Sequence, residues 1–262
     1  RVMTQRLLDI RGLKTHFKTD GGMVQAVDGV DIRIGRGETV GIVGESGCGK
    51  STLARAVLQL VRPTHGQVVW MGRRIEELSL REVRPLRRDM QIVFQDPLAS
   101  LDPRMTIGEI VAEPLRVHRP ELDSAGRKRE VAEILGRVGL SPDIINRYPH
   151  EFSGGQCQRI GIARAMVLRP KLLICDEPVS ALDVSIQAQI VNLLKELKRD
   201  FGMTILFVSH NLAVVEYVAA EVGVMYLGRL VEVGPVATIL STPAHPYARM
   251  LLDAIPDLEM TG

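Results

Sequence analysis

The sequence predicts an α/β fold with a mixed, mainly parallel sheet, an N-terminal antiparallel β layer and an inserted helical subdomain. Two strand-like segments, residues 7–17 and 24–34, flank an Asp-Gly-Gly turn, as in a β-hairpin. Short apolar segments, residues 171–175 and 204–208, enclose an amphipathic helical segment, an order typical of buried parallel strands. Between these two parts, residues 98–168 carry helical periodicity.

The remaining elements follow in chain order from the same signals. Residues 38–43 form a short apolar segment that predicts a strand, and a glycine-rich turn leads into a predicted helix over residues 50–60. Pro63 and Gly66 end that helix region, and residues 67–71 predict the next strand. The amphipathic helix before the last predicted strand covers residues 185–199. Its apolar face consists of Ile186, Ile190, Leu193, Leu194 and Leu197.

Composition excludes several classes of protein. The chain has 262 residues, of which 45% are hydrophobic and 24% are charged, so it is not expected to be disordered. The net charge of +2 gives no reason to expect a nucleic-acid partner. The three cysteines form no CxxC pair, which argues against a zinc site or a disulfide framework. No uncharged apolar run approaches the roughly 18 residues that would predict a membrane span.

The glycine-rich turn carries a phosphate-binding motif. Residues 44–51 read GESGCGKS and fit G-x-x-x-x-G-K-[ST] between a predicted strand and a predicted helix. Backbone N–H groups of such a loop surround phosphate oxygens, Lys50 reaches the β- and γ-phosphates, and the Ser51 hydroxyl binds Mg²⁺. The sequence therefore predicts a P-loop NTPase core. The predicted ATP contacts are Gly44, Glu45, Ser46, Gly47, Cys48, Gly49, Lys50, Ser51 and Thr52.

Two carboxylates follow the apolar strand at residues 171–175. Because ligands of doubly wound sheets gather at the carboxyl ends of the strands, Asp176 is expected to bind Mg²⁺ directly or through water. Glu177 is expected to act as general base for the attacking water. Two solvated acids after a strand are common by themselves, but here they accompany a phosphate loop.

The segment Phe152-Ser153-Gly154-Gly155-Gln156 resembles the LSGGQ signature of ATP-binding cassette (ABC) proteins, with Phe in place of the usual Leu. Four further elements of that family match in order: Phe17, Gln95, residues 180–183 and His210. The resemblance implies that Phe17 stacks on adenine, that Gln95 binds Mg²⁺ and senses coupling, and that His210 is the switch histidine. The alternatives are a core aromatic for Phe17 and an ordinary strand-end histidine for His210.

The resemblance also implies partners. In the family, two cassettes meet head to tail, so that Ser153, Gly154, Gly155 and Gln156 close over ATP held by the other chain. The expected partners are a second ATPase subunit (a different chain or a second copy), two membrane-spanning permease subunits and an extracytoplasmic solute-binding protein, without nucleic acid. The expected location is the cytoplasmic face of the bacterial inner membrane.

The C-terminal segment resembles one branch of the family. Residues 243–256, with the sequence PAHPYARMLLDAIP, are similar to the tail of oligopeptide, dipeptide and nickel importer cassettes, and residues 62–66 to the second cassette subunit of such importers. The resemblance implies an ATP-hydrolysing subunit of a peptide importer. The alternatives are a nickel or glutathione importer and a soluble cassette ATPase, although the interval between Lys50 and Ser153 is too short for the long coiled coil of soluble members.

The predicted organisation is one nucleotide-binding domain over residues 1–262. A helical subdomain at about residues 97–165 is inserted in its core, and residues 236–262 form the importer-type tail. Cys157 and Cys175 are expected to pack as small apolar groups. Cys48 lies in the phosphate loop at a helix N-terminus, where its pKa is expected to fall.

Overall fold

A computed structural model describes residues 6–253 of the chain. The described residues form two units: the first comprises residues 6–76 and 206–253, and the second comprises Glu77–Ile205. The boundary at residues 205 and 206 falls inside a strand, Thr204–Ser209.

The strands of the described chain are β1 (Arg6–Thr19), β2 (Gly22–Gly35), β3 (Thr39–Val43), β4 (His65–Trp70), β5 (Arg73–Arg74), β6 (Met90–Val93), β7 (Leu172–Asp176), β8 (Thr204–Ser209), β9 (Glu221–Tyr226) and β10 (Arg229–Pro235). The α-helices are α1 (Lys50–Val57), α2 (Leu80–Leu86), α3 (Ile107–His118), α4 (Ser124–Arg137), α5 (Gly154–Met166), α6 (Val184–Phe201), α7 (Leu212–Val218), α8 (Val236–Ser241) and α9 (Pro246–Asp253). Two short 3₁₀ helices cover Pro142–Asn146 and Pro149–Glu151.

The first unit contains a four-stranded sheet of order β2-β1-β4-β5, with antiparallel pairing throughout. The β1–β2 hairpin pairs Thr19 with Gly22, so the predicted Asp-Gly-Gly turn forms its tip. Along β2, buried Val30, Ile32 and Ile34 alternate with exposed residues, because successive side chains of a strand face opposite sides of the sheet. This is the predicted antiparallel β layer.

The remaining strands of each unit are mainly parallel, and several of them are fully buried. In the first unit, β9 lies between β10, which is antiparallel to it, and β3, which is parallel to it. In the second unit, β6 pairs in parallel with β7, with Met90 opposite Leu172. All residues of β3, β7 and β8 are buried, as expected for strands covered on both faces. The predicted α/β class with a mixed, mainly parallel sheet is confirmed.

Helices fill the middle of the second unit. The helices α3, α4 and α5 pack on one another through apolar faces that include Leu115, Leu135 and Ile160. They lie within the stretch predicted as helical, while the bounds of a helical subdomain at residues 97–165 stay a prediction. Across residues 6–253, none of the helices is both long and apolar enough to cross a membrane.

Helix α1 is shorter than predicted. It ends at Val57, three residues before the predicted end at residue 60. Gln59 adopts a left-handed backbone with φ of 54°, and the N–H of Leu60 donates to the carbonyl of Arg55. This turn closes the helix with a non-glycine residue, so composition gave no signal for it.

Candidate functional site

The phosphate loop runs from the end of β3 to the start of α1. Gly49 is the residue before the helix and has a φ of 109°, which side chains disfavour. A Cβ at Gly49 would lie 1.9 Å from the carbonyl oxygen of Ala26, and one at Gly44 would lie 2.2 Å from that of Met225. Both positions therefore require glycine, because the backbone of other segments closes directly on the loop.

Lys50 is the charged group of this loop. Its side chain is only 3% exposed, and Nζ donates to the carbonyl oxygens of Gly44 at 2.7 Å and Glu45 at 2.8 Å. A buried ammonium group is thus held by the loop at the start of a helix, where the backbone adds partial positive charge. This combination favours an anion such as a phosphate group.

Segments that are distant in the sequence support the loop by hydrogen bonds to its backbone. Gly228, in the β9–β10 turn, donates its N–H to the Cys48 carbonyl at 2.9 Å. The Glu45 N–H donates to the hydroxyl of Tyr247 at 2.9 Å. Sequence patterns identify Tyr247 only as part of the tail and do not single out Gly228. Gly228 and Tyr247 lie far from the loop in the sequence, so no local sequence pattern predicts these contacts.

The predicted carboxylates lie in the second unit. Asp176 is the last residue of β7, and Glu177 follows it; both are buried. The Gln95 amide nitrogen donates to the Glu177 carboxylate at 3.4 Å, so these two predicted site residues contact each other. Glu177 has a φ of 49°, which is uncommon for a non-glycine residue and typical of functional sites. The Ser180 hydroxyl donates to the Glu177 carbonyl at 3.1 Å and closes the turn that follows.

The signature residues form the N-terminus of α5. Ser153 is the N-cap: its N–H donates to the Gln156 side-chain oxygen at 3.0 Å, and its hydroxyl accepts from the Gln156 N–H at 3.4 Å. This reciprocal capping box satisfies two helix-end donors locally. Ser153, Gly154 and Gln156 are exposed, and Gly155 is half-buried beside Ile186.

Phe17 and His210 belong to the first unit. Phe17 lies near the end of β1 with 38% of its surface exposed, so the alternative of a core aromatic is wrong. His210 is exposed directly after β8, and the next residue, Asn211, caps α7. Stacking of Phe17 on adenine and a switch role for His210 stay predictions.

The cysteines are all buried. Burial raises the pKa of the Cys157 and Cys175 thiols, so both stay protonated and pack as apolar groups, as predicted. Cys48 is 8% exposed inside the loop, and the expected lowering of its pKa stays a prediction.

Comparisons with known proteins agree with these motifs. The family described as "ABC transporter" matches residues 27–180, and the one described as "Oligopeptide/dipeptide transporter, C-terminal region" matches residues 231–261. The latter match includes residues 254–261, which lie outside the described structure.

Individual proteins are also similar. The oligopeptide transport ATP-binding protein OppF of Escherichia coli (strain K12) is 54% identical over 259 residues, covering 95% of this chain and 78% of the relative. OppF of Bacillus subtilis (strain 168) is 51% identical over 255 residues, covering 97% and 84%.

Solved structures show the same fold. A dimeric post-hydrolysis state of the ATP-binding cassette MJ0796, bound to ADP and Pi, superposes with a TM-score of 0.80 at 30% identity. The match covers 87% of this chain and 98% of that one. Family motifs, relatives and fold agree, and the chain belongs to the ABC transporter family of ATP-binding cassettes.

Proposed function

We propose that the chain is the ATP-hydrolysing subunit of an ABC importer that carries oligopeptides or dipeptides across the bacterial inner membrane, working on the cytoplasmic face. One observation carries the choice of cargo. The C-terminal match at residues 231–261 accompanies at least 51% identity to relatives named for oligopeptide transport. Nothing in the described residues favours nickel or glutathione as cargo.

ATP binding is assigned to the phosphate loop and the residues around it. The buried ammonium of Lys50 neutralises the β- and γ-phosphates, and backbone N–H groups of the loop other than that of Glu45, which bonds Tyr247, surround their oxygens. Phe17 is exposed, as a side chain that stacks on an adenine ring has to be. These roles, together with that of Thr52 near the phosphates, are carried over from the family motif.

The candidate magnesium ligands are Ser51, Gln95 and Asp176. All three offer oxygen atoms, which Mg²⁺ prefers. The contact of Gln95 with Glu177 uses the amide nitrogen and therefore does not occupy the amide oxygen. Bound Mg²⁺ would neutralise part of the phosphate charge as hydrolysis proceeds.

Hydrolysis is assigned to Glu177, assisted by His210 and Gln95. A water oxygen attacks the γ-phosphorus, its proton passes to the Glu177 carboxylate, and ADP leaves as the bond to the β-phosphate oxygen breaks. The Gln95 hydrogen bond and the left-handed backbone at Glu177 orient that carboxylate. His210 is proposed to contact the γ-phosphate.

The signature residues are proposed to act on ATP held by a second cassette. Ser153, Gly154 and Gln156 are exposed at a helix N-terminus, which favours anion binding. The proposed assembly contains a second ATPase subunit, different or identical, two permease subunits and a solute-binding protein, with no nucleic acid. The similar MJ0796 cassette was solved as a dimer, which supports pairing of cassettes.

The test uses Glu177→Gln in the assembled importer, with Glu196→Gln as an exposed control on α6. ATP hydrolysis should fall about 10²–10⁴-fold in Glu177→Gln, the usual range for a general base, while Mg·ATP binding is kept. Glu196→Gln should match the wild-type rate. Near wild-type hydrolysis in Glu177→Gln would remove Glu177 from this role. Stimulation of hydrolysis by peptides, rather than by nickel or glutathione, tests the cargo.

A further inference from the structure

The helix α9 contacts the phosphate loop through the side chain of Tyr247. The Tyr247 hydroxyl accepts a hydrogen bond from the Glu45 N–H at 2.9 Å, although the two residues are 202 positions apart in the sequence. Tyr247 is only 5% exposed, and its ring packs on that of Tyr226 with the centroids 4.2 Å apart. Burial raises the pKa of Tyr247, so the hydroxyl stays neutral at physiological pH.

The start of α9 is fixed in place. The Glu232 carboxylate on β10 accepts from the N–H groups of Ala244 and His245, each at 3.0 Å. The Tyr247 N–H donates to His245 Nδ1 at 3.1 Å. Tyr226, which packs against the Tyr247 ring, is the last residue of β9, the neighbour of β10. Tyr247 is therefore held by the same hairpin whose turn braces Cys48.

Glu45 connects this contact to the charged group of the loop. Its N–H is held by Tyr247, and its carbonyl accepts from Lys50 Nζ at 2.8 Å. Both backbone polar groups of Glu45 are thus hydrogen-bonded to side chains. A loop already ordered in this way loses less conformational entropy when it binds a ligand.

We propose that Tyr247 is a positioning residue for nucleotide binding, and that through its hydroxyl the C-terminal helix sets the affinity of the phosphate loop for ATP. This inference rests on the proposed binding of ATP by residues 44–52. Nucleotide binding and the state of the C-terminal segment are then linked, and each affects the other by the same factor.

The experiment compares Tyr247→Phe with Tyr226→Phe in the full chain. Both variants keep the ring pair and remove one hydroxyl, but only Tyr247 bonds Glu45. Tyr247→Phe should weaken Mg·ATP binding about three- to tenfold, the range for one lost hydrogen bond, and raise KM by the same factor with kcat within about twofold. Hydrogen exchange at the Glu45 amide should accelerate. Tyr226→Phe should change none of these.

The outcomes separate this inference from the proposed function. Unchanged affinity in Tyr247→Phe, while Lys50→Ala loses binding, overturns the positioning role alone. A lower Tm with unchanged Kd also overturns it, since that result marks a merely structural contact. Unchanged affinity in Lys50→Ala overturns ATP binding by this loop and the inference with it.

A second variant covers the case in which Tyr247→Phe fails to fold. Glu232→Gln weakens the anchor of α9 without altering the phosphate loop or Tyr247. It should weaken Mg·ATP binding in the same direction by about twofold. Affinity equal to that of the wild type in this variant would contradict control of the loop by α9.

Discussion

Two proposed anion-binding segments of this chain are stabilised in opposite ways. The phosphate loop, residues 44–51, packs against backbone atoms of Ala26 and Met225 and bonds to Gly228 and Tyr247, all distant in sequence. In the signature segment, residues 152–156, Ser153, Gly154 and Gln156 are exposed, and a capping box between residues three apart holds it. Because residues of its own unit complete its contacts, the phosphate loop suits a primary binding site. A segment that is capped locally and keeps its polar residues exposed suits a surface that a second chain completes.

The largest expected effect concerns the charge of the phosphate loop. Lys50→Ala in the isolated chain should weaken Mg·ATP binding about 10²–10⁴-fold, because two or more charge-assisted hydrogen bonds to phosphate are lost. Titration calorimetry measures the affinity. Ser153→Ala in the signature segment is the control and should bind ATP within about twofold of wild type. Equal losses of ATP affinity in both variants would contradict the proposal that the phosphate loop alone binds ATP in the isolated chain.

The next effect compares glycines of the two segments. Gly49→Ala should destabilise the fold by about 3 kcal/mol or more, because its Cβ would overlap the Ala26 carbonyl oxygen at a positive φ. Gly154→Ala should change stability by less than about 1 kcal/mol, since its Cβ would make an ordinary 3.6 Å contact with Leu182. Urea unfolding of both variants measures the difference. Similar losses would show that the signature segment is as tightly enclosed as the phosphate loop.

The same contrast explains what the sequence could predict. The strand, turn and helix around residues 39–57 follow from a contiguous motif, and the β1–β2 hairpin follows from its Asp-Gly-Gly turn. The capping box of Ser153 and Gln156 is also local, but it was not predicted from the sequence. No strand was predicted from the sequence at β6, β9 or β10, although β9 and β10 form the hairpin that braces the phosphate loop.

The contacts behind the loop were not predictable for a physical reason. The bond from Glu45 to Tyr247 and the approach of Met225 to Gly44 join residues about 200 positions apart. Hydrophobic periodicity and turn chemistry report neighbours within a few residues, so such pairings appear only when the chain is folded. The contact between Gln95 and Glu177 is similar: each motif was identified, but not their hydrogen bond.

A smaller effect tests whether the signature segment serves another chain. Ser153→Arg places bulk and positive charge at a helix N-terminus, which disfavours cations. Isolated Ser153→Arg should bind Mg·ATP within about twofold of wild type, whereas hydrolysis by the assembled importer should fall at least about tenfold. Ser153→Ala separates loss of the cap from the added charge.

The location of the Ser153→Arg defect is decisive. In importers where one phosphate loop at a time is disabled, the lost turnover should belong to the site whose phosphate loop lies on the partner cassette. A defect confined to the site built on this chain's own phosphate loop would falsify head-to-tail sharing.

The smallest expected effect is electrostatic and concerns the bracing of the phosphate loop. Asp28 bonds Arg229 at 2.5 Å and pairs with Lys14 at 3.1 Å, and these contacts lower its pKa from 3.8 to about 2. The Asp28 N–H also donates to the carbonyl of Gly228, the residue that bonds Cys48. Protonation of the Asp28 carboxyl would weaken its pairs with Arg229, the residue after Gly228, and with Lys14, and so would loosen the segment that supports the loop.

Because its folded pKa is depressed, Asp28 stabilises the fold fully above the unfolded pKa of 3.8, and the stabilisation is lost as the pH falls through about 2. Asp28→Asn should lower Tm by a few degrees at pH 7, and this difference should shrink between about pH 4 and pH 2. The capping box of Ser153 and Gln156 contains no titratable group, so hydrogen exchange at residues 153–156 should not differ between wild type and variant. At residues 44–51, exchange should be faster in Asp28→Asn above pH 4. Equal acceleration in both segments would mean that Asp28 stabilises the chain globally instead of bracing the phosphate loop.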